Sequence, residues 1–99
     1  MKVRWTKAAL SHLTAIYEYI RLDSPHYAIR VVDKITTKSQ LLIDFPQSGS
    51  LVPEYKDQDI RQVFEWPYRI IYRIAENEVQ VLAILHGARE VSGDSPPGS

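Results

Sequence analysis

The stretch that decides the fold is YRIIYRIAENEVQVLAILHGARE, Tyr68 to Glu90. Ile70, Tyr72 and Ile74 alternate with Ile71, Arg73 and Ala75. Beyond the polar Glu76-Asn77-Glu78 turn, Val79, Val81, Ala83 and Leu85 repeat the same two-residue period. Alternation on both sides of a short polar break predicts an antiparallel hairpin. Its unusual content is basic: Arg69 opens the first strand, Arg73 sits inside it, and His86 and Arg89 mark the end of the second. An antiparallel partner brings the start of one strand beside the end of the other, so Arg69 and Arg89 are expected at one rim of the sheet.

Upstream, Ile60 to Trp66 alternates as a further strand, and Pro67 separates it from the hairpin. Lys2-Val3-Arg4-Trp5 reads as a short strand, followed by Thr6 as the cap of a helix starting near Lys7. Leu10, Leu13, Ile16, Tyr17 and Ile20 recur at helical spacing and predict a buried stripe. Ser24-Pro25 starts a second helix, with Ser24 as cap and Pro25 in the first turn, where its missing N–H costs little. Ala28, Val31, Val32, Ile35 and Leu42 mark its inner face, and Phe45-Pro46 ends it. Pro46 to Asp59 reads as a surface loop.

The order strand, helix, helix, three strands is an α+β fold, with an N-terminal strand and a two-helix hairpin packed on a mainly antiparallel sheet. Ninety-nine residues support one core, so residues 1–91 are read as a single domain and 92–99, rich in Ser, Pro and Gly, as a flexible tail. The chain has no cysteine, which excludes disulfides and thiolate chemistry. No signal-like segment and no membrane-length apolar run occur, so the expectation is a soluble, cytoplasmic protein without membrane contact. Formal net charge is zero, which argues against a nucleic-acid-coating surface. Charge is nevertheless uneven: seven basic and four acidic residues up to Pro53, then five basic and eight acidic. A phosphate-binding cluster would have to be assembled from a few arginines.

In this order and spacing, Asp44-Phe45-Pro46, GSLVPEY (Gly49 to Tyr55), Ile60-Arg61, YRIIYRI (Tyr68 to Ile74) and VLAILHGARE (Val81 to Glu90) resemble the RelE/ParE family of bacterial toxins from type II toxin–antitoxin systems. The resemblance covers residues 2 to about 91. It implies a compact α+β toxin neutralised by a cognate antitoxin wrapped around it. Two activities occur in the family. One branch cuts ribosome-bound mRNA without a metal, through attack of a 2′-OH on the adjacent phosphate. The other, ParE-like, poisons DNA gyrase, giving growth arrest and plasmid stabilisation. Arg69 and Arg89 match two arginines of the nuclease branch, but Ile60 and Gln62 stand where that branch has lysines, and Ser95 where it has a tyrosine. The resemblance therefore implies a ParE-like inhibitor of DNA gyrase, with a RelE-like endoribonuclease and an inactive, antitoxin-binding member as alternatives. If the complex represses its own operon, the resemblance implies that the antitoxin carries the DNA-binding domain and that contact with operator DNA is indirect.

Target-contact candidates are Arg61, Arg69 and Arg89, since planar guanidinium groups suit phosphate and carboxylate. Arg69 and Arg89 also have a structural reading, as partners of Glu65 or Glu90, and Arg73 one as a partner of Glu78. A nuclease arrangement would draw on Arg69 and Arg89 with His86 as acid or base and Glu54 beside it. Leu22, Ile29, Leu41 and Ile43 lie outside the main helical stripes and are expected to form an apolar groove for the antitoxin. Trp5, Tyr17, Phe45, Trp66, Tyr68 and Tyr72 are expected to pack in the core, with Tyr19, Tyr27 and Tyr55 partly exposed. His12 and His26 have no convergent carboxylates, and no metal or cofactor is expected.

Overall fold

A computed structural model describes residues 1–87. Its elements are β1 (Lys2–Trp5), α1 (Lys7–Arg21), α2 (Pro25–Gln40), a 3-10 turn (Leu41–Ile43), β2 (Ser50–Leu51), β3 (Ile60–Glu65), β4 (Tyr68–Ala75) and β5 (Glu78–His86). The strands form one sheet in the order β1-β5-β4-β3-β2. Only β1 and β5 run parallel among its paired strands. This is the α+β arrangement expected, with a two-residue strand, β2, where a plain loop was read. Arg89 and the 92–99 tail lie outside the described residues.

Both helix starts follow from local chemistry. Thr6 accepts the Ala9 N–H at 3.1 Å, and Ser24 accepts the Tyr27 N–H at 3.2 Å, each satisfying a donor that the first turn leaves open. Thr6 does more than cap: its N–H donates to the Val81 carbonyl and its hydroxyl to that of Leu82, tying the start of α1 to β5. The predicted α1 stripe is only half-buried. Leu10 is 50% exposed, and Ala9 takes the buried position instead, because a small residue lets α1 approach β5 closely. Leu42 is buried as expected, though it belongs to the 3-10 turn rather than to α2.

The sheet has two covered faces. On one, Ala9, Val31 and Ile35 of the helices meet Ile70, Val81 and Ile84, with Leu42, Tyr72 and Val79 beside them. On the other, Ile60, Ile71, Leu82 and Ala83 pack under Val52 and Tyr55 of the long loop. A bulge separates the two halves of β5. Tyr72 pairs with Val81 but Ile71 pairs with Ala83, leaving Leu82 as the extra residue. The period of β5 therefore changes parity: Val79 and Val81 face the helices, whereas Ala83 and Leu85 face the loop. Continuous alternation through Leu85, the reading from sequence, fails at Leu82. Asn77 sits at φ 61 in the turn, the left-handed conformation that asparagine tolerates. Two aromatics expected in the core are at the surface: Trp66 is 74% exposed and Phe45 61%.

Candidate functional site

Arg69 projects from β4 onto the loop-covered face and is only 6% exposed. Its Nη1 and Nη2 donate to the two oxygens of Glu54, each at 3.1 Å. Nε and Nη2 also donate to Gln62 Oε1 at 2.9 and 2.6 Å. This planar fork ties β4, β3 and the loop after β2 together and sets a carboxylate against the buried charge. Gln62 lies two residues before Phe64, the residue directly opposite Arg69, and reaches it diagonally across the ladder. Sequence reading placed Arg69 against Glu65 or Glu90. Glu65 instead faces the helices, because it pairs with Tyr68 and has the opposite parity.

Around this clamp the open end of the sheet carries an aromatic step. Phe64 and Trp66 stack with centroids 5.4 Å apart and planes 19° from parallel. Trp66 lies over Gly87, where a Cβ would come within 2.9 Å of the indole, so only glycine permits this approach. Gly87 N–H closes the strand end on the Pro67 carbonyl. Pro53, Glu54, Gln62, Phe64, Arg69 and Gly87 thus line a shallow hollow.

His86 does not join it. Because of the bulge, His86 pairs with Tyr68 and shares the helix-side face, its ring edge-on to Tyr68 at 6.2 Å. Glu54 is on the other face with Arg69, so the expected Glu54–His86 pairing is not assembled. His12 is structural, because its Nδ1 accepts the Ile84 N–H at 3.2 Å, just past the end of β1. Burial pushes the Tyr68 hydroxyl above its ordinary range, reinforced by Tyr27 and Tyr19.

Arg61 also parts from Arg69. It pairs with Tyr72 on the helix-side parity, and its Nη1 donates to the Gly49 carbonyl at 3.0 Å. Tyr72 completes that joint: its hydroxyl donates to the Pro46 carbonyl at 2.7 Å and accepts the Gly49 N–H at 3.0 Å. Burial raises the Tyr72 pKa, opposed by the Gly49 N–H and the nearby Arg61. Arg61 and Arg69 therefore present no common surface; the former secures the 46–49 loop. Arg73 bonds Asp57 at 3.1 Å rather than Glu78. Glu78 is held by Gln80 at 2.6 Å and Arg4 at 3.0 Å, which depress its carboxyl pKa, the Gln80 amide most.

The four antitoxin candidates are spread out. Leu22 is 78% exposed at the end of α1, Ile29 and Leu41 are exposed, and Ile43 is half-buried. Ile29 and Leu41, twelve positions apart, are separated by about 120° around a helix. Leu41 lines a groove beside β3 with Lys38 and Phe45; the four do not share one stripe.

A two-helix hairpin on a five-stranded sheet, with a buried arginine clamp and an aromatic step at the open end, defines a small α+β domain. Residues 3–91 match the sequence model of the ParE toxin of type II toxin–antitoxin systems, parDE, and the chain belongs to that family. It is 35% identical to protein Y4kP of Sinorhizobium fredii over 89 residues, covering 90% of this chain and 91% of that one. It is 36% identical to Toxin RelE2 of Caulobacter vibrioides, also over 89 residues, covering 89% and 97%. Among solved structures it is similar to a chain of the chromosomal ParDE system from P. aeruginosa, with a TM-score of 0.71, 28% identity and coverage of 87% and 95%. Family membership implies a cognate antitoxin. Among the described residues no helix is long and apolar enough to cross a membrane.

Proposed function

We propose that this toxin acts as a ParE-like poison of DNA gyrase, held inactive by its antitoxin. The observation that carries the reading is the state of Arg69. A metal-independent RNA-cleaving site needs cationic groups directed at the scissile phosphate and a proton-transfer group within reach of the reacting oxygens. Here the guanidinium is clamped by Glu54 and Gln62, and His86 stands on the other face. The Phe64–Trp66 step, with Trp66 exposed and Phe64 half-buried, suits contact with a macromolecular surface better than acid–base chemistry. The match to the ParE model and the ParDE neighbour support the same direction. The expected contacts are Trp66, Phe64 and, from the chain beyond the described residues, Arg89; Arg69 holds this end in shape.

The test is purified, antitoxin-free protein incubated with gyrase, supercoiled plasmid and ATP, scoring linear DNA released from trapped cleavage complexes. Dose-dependent linear product that requires gyrase is expected. Intact, freely supercoiled DNA at a toxin concentration that arrests growth overturns the reading. Cleavage of ribosome-bound mRNA by the same preparation would establish the nuclease alternative.

A further inference from the structure

Among the described residues the arginines divide by what holds them. Arg4, Arg21, Arg69 and Arg73 are in ion pairs with Glu78, Glu18, Glu54 and Asp57, and Arg61 donates to the Gly49 carbonyl. Arg30, on α2, has neither kind of side-chain partner among them, and the same holds for Lys34 and Lys38. Positions four apart follow one another along a helix surface, so the three cations make one ridge. Arg30 and Lys34 are exposed and Lys38 is half-buried. Against them α2 carries a single carboxylate, Asp33, in a chain whose formal net charge is zero. Arg61 and Arg69 supply no phosphate-binding cluster, because each is spent on the fold; α2 supplies one.

The ridge adjoins the aromatic step. Arg30 and Lys34 line one hollow with Tyr27, Glu65 and Trp66, and Lys34 and Lys38 line the next with Asp33 and Glu65. From Arg30 to Lys38 the helix rises about 12 Å. One strand of a B-form duplex carries a phosphate about every 3.4 Å along its axis, so this length runs beside about three phosphates. The row of cations matches that ladder in sign and in length. Phosphate contacts fix position without reading bases, so such a contact is indifferent to sequence. Trp66 stacks on Phe64 and lies over Gly87, so its ring is engaged within the protein rather than held open for a splayed base. That favours the backbone of a duplex over a single strand, whose binding depends on free stacking platforms.

We propose that the α2 ridge is a contact for duplex DNA, with Arg30, Lys34 and Lys38 along the phosphates of one strand. The inference deepens the gyrase reading and rests on it for its setting: the duplex is the one gyrase holds, and the ridge keeps the toxin beside it while the aromatic step meets the enzyme.

The experiment is fluorescence anisotropy of a short labelled DNA duplex titrated with the antitoxin-free full chain at about 50 to 200 mM salt. Three phosphate contacts predict a slope of about −2.7 in log affinity against log salt concentration, roughly a 40-fold loss across that range. Arg30→Gln, Lys34→Gln and Lys38→Gln together should bring the slope near zero and lower the low-salt affinity tenfold or more. Lys34→Arg keeps the charge and should keep both. An unchanged slope in the folded triple variant, or no binding by the parent at the low-salt end, overturns the proposal. Where the triple variant does not fold, the single Gln variants decide, each expected to lower the slope by about 0.9. Tighter binding to a single-stranded oligonucleotide or to duplex RNA overturns duplex DNA as the partner. In the plasmid assay with gyrase, the triple variant should need at least tenfold more protein for equal linear product, and equal potency refutes the ridge's place in the complex. Duplex binding is measured without gyrase, so failure of the gyrase reading shows separately, as DNA binding that persists while the parent yields no linear product.

Discussion

Replacing Arg69 by Met tests whether the charge at the sheet rim is chiefly a structural clamp. Arg69 is 7% exposed at its side chain and Glu54 22%, so both ends of the pair are largely shielded from water. Methionine keeps much of the aliphatic volume but leaves the Glu54 carboxylate and the Gln62 carbonyl oxygen without their main donor. Removing one partner of a buried ion pair costs about 3–5 kcal/mol, and the partial exposure of Glu54 sets the expectation at the lower end, about 3 kcal/mol. For a domain of this size each kcal/mol corresponds to roughly 4–8 °C, so the melting temperature should fall by roughly 12 °C or more. Glu54→Gln retains an acceptor beside the guanidinium and should cost less, about 1–2 kcal/mol. Urea unfolding of both single variants and the double variant gives the coupling directly, expected at about 1–3 kcal/mol. A folded Arg69→Met protein within about 0.5 kcal/mol of the parent would refute the clamp, since surface substitutions have effects of that size. Loss of toxicity in an Arg69 variant must accordingly be separated from loss of fold before it is assigned to target contact.

Tyr72→Phe removes a hydroxyl that both donates to Pro46 and accepts from Gly49, leaving two backbone groups without this partner. A loss of about 1–3 kcal/mol is expected in urea unfolding, together with faster amide exchange at Gly49. His12→Ala should cost about 1–2 kcal/mol by stranding the Ile84 N–H; unchanged exchange at Ile84 would contradict that role. Glu78 titrates below its ordinary value of 4.5, chiefly through the Gln80 amide and then Arg4. A lowered folded-state pKa favours the fold fully above 4.5 and loses that contribution as pH falls through the lowered value. The stability gap between parent and Glu78→Gln should therefore narrow on acidification below about 4.5 in pH-dependent unfolding.

The local chemistry of the chain was legible in its sequence. The Thr6 and Ser24 caps, the Pro25 start, the strand before Pro67 and the hairpin about Asn77 depend on residues within a few positions of one another, so pattern and propensity suffice to find them. Within the site, Arg69 was recognisable as unusual because a charged residue opens an otherwise apolar strand. Its partners were not. Gln62 becomes its neighbour through the β3–β4 register, and Glu54 through a loop that folds back over the sheet; neither proximity is encoded in spacing along the chain. A register worked outward from the Trp66-Pro67 turn would have placed Phe64 opposite Arg69 and Gln62 on the diagonal, but nothing local indicates where Glu54 arrives.

The sequence by itself determined the α+β class, the caps, the strand and helix periods, and the family. Tertiary structure decided which face each side chain takes. The single extra residue at Leu82 reverses the parity of β5, moving His86 to the helix side while Leu85 stands opposite Arg69. Likewise, the parity of β3 sends Arg61 to the Gly49 joint and Gln62 to Arg69. Period-2 patterning specifies alternation but not the position of a bulge, because a bulge is a property of two paired strands rather than of either one alone.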